Sequence, residues 1–135
     1  MTARDAARVL LAAVRIANGS ASLLAPAIVA RRLGAAPETA NASLYPLRLF
    51  GIRTVVVGAE LLLRDPSVRR MALDGAVVIH ASDTLAALLG GVRRELPQRQ
   101  AAMLTALSAG NTALALVARG GLRRGPASPA RDARG

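Results

Sequence analysis

The chain has 135 residues, enough for one domain, and 53% of them are hydrophobic, so a soluble helical bundle and a membrane protein are the two classes to weigh. All 18 basic residues are arginine and the net charge is +10, but aromatic residues are nearly absent and no nucleic-acid-binding motif is present, which argues against a nucleic-acid partner. Because the chain contains no cysteine, it has no disulfide, thiolate metal site, haem attachment motif or thiol nucleophile.

Four apolar stretches follow one another along the chain, separated by short segments with glycine, proline and arginine. Helices are predicted at about 9–30, 44–63, 72–92 and 101–118. At about 1.5 Å per residue, a stretch of this length spans about 30 Å, the thickness of the hydrocarbon core of a bilayer. The breaks between them are Gly34–Pro37, Arg64–Pro66 and Glu95–Pro97. The sequence therefore predicts an all-α fold, a four-transmembrane-helix bundle.

The segment 120–135 is rich in glycine, proline, alanine and arginine and contains little that a core could bury. Because a segment of that composition does not fold by itself, we predict a disordered, arginine-rich cytoplasmic tail. The four predicted helices then form one transmembrane domain over residues 1–119.

Ionisable residues inside three of the four stretches are the main objection to a membrane protein. On insertion scales an arginine or aspartate at a helix centre costs about 2.5–3.5 kcal/mol, and each leucine or valine returns only about 0.3–0.6 kcal/mol. The soluble alternative, an alanine-rich bundle, needs a wide polar face on every helix. In residues 54–63 and 74–91 the polar groups are confined to one narrow stripe. This pattern favours a membrane protein whose main partner is the lipid bilayer.

The distribution of arginine predicts the orientation in the membrane, because cytoplasmic loops carry an excess of basic residues. The N-terminus, the second loop and the tail carry ten arginines, whereas the first and third loops carry five. We therefore predict a multi-pass protein of the cell inner membrane with both termini in the cytoplasm.

Each predicted helix carries polar residues near its midpoint, and they continue at helical spacing along one face. The candidate residues for a ligand-binding or intramembrane polar pocket are Arg15, Asn18, Arg53, Glu60, His80, Asp83 and Asn111. Ionisable residues in lipid are expensive and mark a ligand, ion or proton path, and the alternative is that they only join the helices. Matching their depths predicts an ion pair between Arg53 and Asp83. A second ion pair is predicted between Arg15 and Glu60.

His80 and Asp83 are too few to form a zinc site, so neither metal ligands nor a cofactor are predicted. The same two residues could act as an acid/base pair in an enzyme of the bilayer. No nucleophile or phosphate loop accompanies them, and we assign no catalytic residue. The other hypotheses are a pocket that binds a small ligand or a partner membrane subunit, and a component of a homo-oligomeric transporter.

Three segments carry a resemblance to a known group of proteins: RIANGSASLLAP (15–26), RLFGIRTVVVGAELLLRDP (48–66) and HASDTLAALLGG (80–91). Over residues 8–122 the chain resembles the small uncharacterised four-helix membrane proteins of bacteria, and it is similar in layout to the DoxX-like group. The resemblance implies a helical bundle in the inner membrane and supplies no reaction.

Overall fold

The structure, a computed structural model, describes residues 1–37 and 40–120. These residues form five α-helices and no strand, namely α1 (Ala3–Leu24), α2 (Pro26–Arg32), α3 (Ala40–Glu60), α4 (Pro66–Val92) and α5 (Gln98–Arg119). Three of the described helices, α1, α4 and α5, are long and apolar enough to cross a membrane. The prediction of a four-transmembrane-helix bundle is therefore wrong. The predicted tail, apart from Gly120, lies outside the described residues.

The first correction is a break within the helix predicted at 9–30. Helix α1 ends at Leu24, Ala25 has a non-helical backbone with φ −132° and ψ 50°, and α2 begins at Pro26. Proline has no N–H, and its ring collides with the carbonyl four residues before it, so a straight helix does not run through it. The same residue suits the first position of a new helix, because its fixed φ is already helical.

The second correction concerns α3, which replaces the helix predicted at 44–63. It contains Pro46, Arg48, Arg53 and Glu60, and it is not among the helices that are apolar enough to cross a membrane. Both of its arginines are exposed on the outside of the molecule, where contact with lipid would be expensive. Helix α3 returns the chain alongside α1 to the point where α4 begins.

The four long helices pack in an uneven ring. Helix α1 lies between α3 and α5, and α4 packs along the other side of α5. Helices α3 and α4 meet over a short region only, while α2 packs mainly against α3. The side of the ring between α3 and α4 is therefore closed at one end and separated over the rest of its length.

Glycines let α1 and α3 approach each other closely. A Cβ atom placed on Gly51 would lie 2.6 Å from the carbonyl oxygen of Gly19, and one placed on Gly19 would lie 2.7 Å from the carbonyl oxygen of Gly51. Gly58 lies in the same way against Ile16 and Arg15. Small residues at a helix crossing allow backbones to touch, which adds van der Waals contact where apolar burial contributes little.

The apolar core is concentrated at the end of the molecule where α1 and α4 begin and α3 and α5 finish, which we call the packed end. Its cluster of buried residues consists of Leu11, Ala12, Leu61, Ala72, Leu73, Ala76 and Ala115. The opposite end, where α4 finishes and α5 begins, we call the open end. There the helices enclose cavities instead of a continuous core.

Side chains and glycine cap the helix ends. Thr2 and Asp5 form a reciprocal capping box at the start of α1. At the start of α4, hydrogen bonds from the Ser67 hydroxyl and then from the backbone N–H groups of Ser67 and Val68 hold the pKa of Asp65 below its usual range. Helix α5 ends at Arg119 and is capped by Gly120, whose left-handed backbone (φ 77°) suits a residue without Cβ.

Candidate functional site

A cavity of about 350 Å³ opens between α1, α3, α4 and α5, on the open side of the core. Five of the seven predicted pocket residues line it: Arg15, Asn18, His80, Asp83 and Asn111. Helical spacing brings them together, since Arg15 and Asn18 are one turn apart on α1, and His80 and Asp83 are one turn apart on α4. The polar stripes of three helices therefore meet in one cavity.

Arg15 is the central residue of this cavity and is only 4% exposed. Its Nη1 donates a hydrogen bond to Nε2 of His80, which is also buried. Because Nε2 accepts this bond, the proton of a neutral His80 ring is assigned to Nδ1. That nitrogen lies 3.8 Å from Oδ2 of Asp83. Arg15, His80 and Asp83 thus lie in a row from the buried wall to the half-exposed rim, with a hydrogen bond between the first two only.

Two threonine hydroxyls near the cavity donate hydrogen bonds to the backbone of their own helices, α4 and α5. The Thr84 hydroxyl donates to the carbonyl of His80 at 2.7 Å, and the Thr112 hydroxyl donates to the carbonyl of Ser108 at 2.8 Å. Serine and threonine in helices use this bond to satisfy their hydroxyl groups without a partner on another helix. The protons of these hydroxyls are therefore used within their own helices.

One N–H group of Arg15 has no partner among the described residues. The Nε atom of Arg15 is fully buried and forms no hydrogen bond. No carboxylate of the described chain lies within ion-pair distance of the Arg15 guanidinium, whose side-chain hydrogen bond goes to a histidine. The charges of Asp83 and Glu60 act on Arg15 only from beyond ion-pair distance, and a buried cation without a directly contacting anion is costly. The site therefore has an unfilled requirement for an oxygen acceptor.

Two of the predicted pocket residues do not line the cavity. Arg53 is exposed on the outer face of α3, and Glu60 is half-buried without an ion pair to any described residue. The predicted ion pairs of Arg53 with Asp83 and of Arg15 with Glu60 are wrong. Helix α3 turns its glycines towards α1, so Thr54 lines the cavity, and Arg53, about 100° away around the helix, points outward.

A second, larger cavity of about 780 Å³ lies beside the first, between α1, α2, α3 and α5. Asn18, Phe50, Leu104 and Leu107 line both cavities, so the two are neighbours that share one wall. The sequence prediction missed Phe50, Leu104 and Leu107, because nothing in a continuous apolar stretch marks which positions border a cavity. The second cavity continues with apolar side chains towards the exposed Arg32 and Arg99 at the open end.

The described residues contain no group of three or more histidine, cysteine, aspartate or glutamate side chains that could hold a metal ion. A scan against protein-family models and searches of curated proteins and of solved structures found no match to this chain. The resemblance in layout to the DoxX-like group stays a prediction.

Proposed function

We propose that the chain is a multi-pass protein of the cell inner membrane that binds a small carboxylate-bearing amphiphile in the cavity beside Arg15. The three helices that are long and apolar enough to cross a bilayer are α1, α4 and α5, and α3 returns the chain alongside α1 from the open end to the packed end. The arginine-rich packed end faces the cytoplasm, which agrees with the preference of basic residues for that side.

The outer surface of these helices supports the membrane assignment. Val78 and Leu85 on α4 are 69% and 67% exposed, and Val117 on α5 is 49% exposed. In the most apolar stretch of α5, only 17% of the residues are buried inside the molecule. Lipid is the medium that accepts so much outward apolar surface on parallel helices. Retention of the tagged chain in the membrane pellet after a carbonate wash tests this assignment, and release into the supernatant contradicts it.

The observation that carries the ligand assignment is the buried, unpartnered Nε of Arg15 at the wall of a cavity. A carboxylate supplies what this cation lacks, since guanidinium and carboxylate form short charge-assisted hydrogen bonds. Phe50, Leu104 and Leu107 line both cavities and offer an apolar surface beyond the polar wall. The chemistry of the site therefore fits a ligand with an anionic head at Arg15 and an apolar chain towards α2.

Binding fits the geometry better than catalysis by His80 and Asp83. Nε2 of His80 is already engaged by Arg15, and a general base needs a ring nitrogen within hydrogen-bond reach of its substrate. Nδ1 lies 3.8 Å from Asp83, outside the range of a good hydrogen bond. The histidine is thus arranged to orient Arg15 and not to exchange protons with a substrate.

Thermal unfolding followed by circular dichroism tests the ligand assignment with decanoate and decanol as probes. At about 100 times its Kd, a ligand that binds only the folded chain raises the free energy of unfolding by about 2.7 kcal/mol. We expect stabilisation by decanoate to exceed that by decanol, because only the acid supplies an anion to Arg15.

The matched variants are Arg15→Gln and Arg48→Gln, which remove one arginine each from the cavity and from the exposed face of α3. The Arg15 variant is expected to respond equally to decanoate and decanol, and the Arg48 variant to respond like the unmodified chain. An equal response to the two probes in the unmodified chain contradicts the assignment, whatever the variants do.

A further inference from the structure

A second polar site lies at the packed end, on the opposite side of the core from the cavity at Arg15. A groove of about 610 Å³ is formed there by the first turns of α1 and α4 and the last turn of α5. Five arginines from these three helices line it: Arg4, Arg8, Arg69, Arg70 and Arg119. Asp5 is the acidic residue among the described residues that line the same groove.

Two of the five arginines are held by the protein itself. Nη1 of Arg8 donates to the carbonyl of Leu61 at 2.6 Å and its Nη2 lies 3.8 Å from Asp5. Nε of Arg119 pairs with Oδ1 of Asp74 at 2.6 Å. These contacts hold two cations in the groove wall, and the side chains of Arg8 and Arg119 are only 18% and 30% exposed.

The other three arginines, Arg4, Arg69 and Arg70, form no ion pair with any residue in the described parts of the chain. The charge of the groove is therefore strongly positive. Thr2 and Pro66 at the starts of α1 and α4 also line it, so the positive ends of two helix dipoles add to the same field. Like charges brought together from three helices repel each other unless an anion lies between them.

We propose that this groove binds a phosphate group, and that the phosphate belongs to the headgroup of an anionic lipid. Arginine is suited to phosphate, because its planar guanidinium can donate two parallel hydrogen bonds to two oxygens. The groove lies at one end of all three helices that are apolar enough to cross a membrane. That is the level at which lipid phosphates lie, so the acyl chains can run along the outward apolar faces of the helices.

A general excess of positive charge on the cytoplasmic side would not require this arrangement. The positive-inside rule depends on how many basic residues flank the helices, and it does not require the basic residues of different helices to meet in one groove. At the open end, Arg93 and Arg94 are also adjacent in sequence, but both are exposed and border none of the three cavities described above. Replacing Arg69 and Arg70 lowers the net charge as much as replacing Arg93 and Arg94. The two double variants can therefore be compared at equal net charge.

The test is native mass spectrometry of the full-length chain in a nonionic detergent, with phosphatidylglycerol and phosphatidylcholine offered at equal concentration. We expect the chain to retain phosphatidylglycerol in preference. The double variant R69Q/R70Q is expected to bind it about twenty-fivefold more weakly, which is fivefold for each arginine. The matched variant R93Q/R94Q is expected to bind like the unmodified chain. Equal retention by the two double variants overturns the proposal.

Two further arms complete the experiment. Glycerol 3-phosphate, which has the phosphate but no acyl chains, is added as competitor, and we expect no displacement of the lipid. Displacement at millimolar concentration would overturn the lipid source and assign the groove to a soluble phosphate ester. If R69Q/R70Q loses its helical circular dichroism, Arg4→Gln replaces it, with an expected weakening of about fivefold. Because these probes carry no carboxylate for the cavity at Arg15, the result is independent of the decanoate experiment.

Discussion

At the packed end Leu11, Ala12 and Leu61 are completely buried, whereas at the open end the same helices border two cavities. The difference comes from how α3 and α4 are connected. A short loop at 61–65 holds them together at the packed end, and no other direct link keeps them close. At the open end α3 follows α1 through its glycines, and α4 follows α5. The gap that remains between the two pairs contains the polar residues.

We expect the packed end to determine the stability of the chain and the open end to determine ligand binding. Apolar residues of α1, α4, α5 and the loop after α3 pack together at the packed end, so changes there should act on unfolding. At the open end Arg15, His80 and Asn111 line a cavity, so changes there should act on ligand binding.

The largest effect on unfolding is expected from Leu61→Ala at the packed end. Leu61 is 0% exposed, and a buried leucine replaced by alanine leaves a cavity that costs about 2–5 kcal/mol. The matched change is Leu62→Ala, because Leu62 is 48% exposed and such changes usually stay within about 0.5 kcal/mol. Unfolding in dodecyl sulfate, followed by circular dichroism, measures both. Similar stabilities for the two variants would mean that the packed end does not hold the fold.

Gly51→Ala tests the contact between α1 and α3. The added Cβ would lie 2.6 Å from the backbone oxygen of Gly19, and such overpacking costs about 1–3 kcal/mol. Gly110→Ala is the control, because nothing lies within 4 Å of a Cβ at that position. There alanine is expected to stabilise the helix by about 1 kcal/mol. The same unfolding assay would contradict the close contact if both alanines stabilised the chain.

Leu104→Trp fills the open end without removing a charge. Leu104 lines both cavities, so the larger tryptophan side chain is expected to abolish the stabilisation by decanoate, and the space in the cavities lets the ligand-free chain accept it. Leu116→Trp places the same ring on α5 at a position that is 45% exposed. Retention of decanoate binding by Leu104→Trp, measured by thermal unfolding, would put the ligand elsewhere.

The smallest effect is expected from Asp65→Asn at the start of α4. Hydrogen bonds to its carboxylate lower the pKa of Asp65 in the folded chain. A lowered folded pKa contributes stability above the unfolded pKa, and this contribution is lost as the pH falls through the folded pKa. This contribution to stability is therefore lost below about pH 4. Asparagine also caps helices but does not titrate, so the variant should lose less stability than the unmodified chain between pH 5 and pH 3. Parallel pH profiles of the melting temperature would contradict this.

Much of the helical pattern could be predicted from the sequence. Helix α4 finishes at Val92 as predicted, and the predicted fourth helix, 101–118, lies within α5. The break at Pro26 was missed because apolar residues continue across it and the hydropathy pattern does not change. Helix α3 is not among the helices that are apolar enough to cross a membrane, and it contains three charged residues.

The site could be predicted in part. Spacing along α1 and α4 identified Arg15 and His80, because residues three and four apart share a face whatever the helix packs against. Depth alone could not identify their partners, because it does not fix the rotation of a helix about its axis. Gly51 and Gly58 determine that rotation for α3, and their spacing of seven residues was the available signal that Arg53 points outward.

Binding of a ligand at Arg15 is tested most directly by detecting the contact between its carboxylate and the Arg15 guanidinium. Decanoate labelled with ¹³C at the carboxyl group is bound to ¹⁵N-arginine-labelled chain in lipid nanodiscs, and solid-state NMR measures dephasing of the carboxyl carbon by arginine nitrogen. We predict dephasing from a hydrogen-bonded pair in the unmodified chain and its loss in Arg15→Gln. Absence of dephasing in the unmodified chain, or its persistence in the variant, would contradict binding at Arg15.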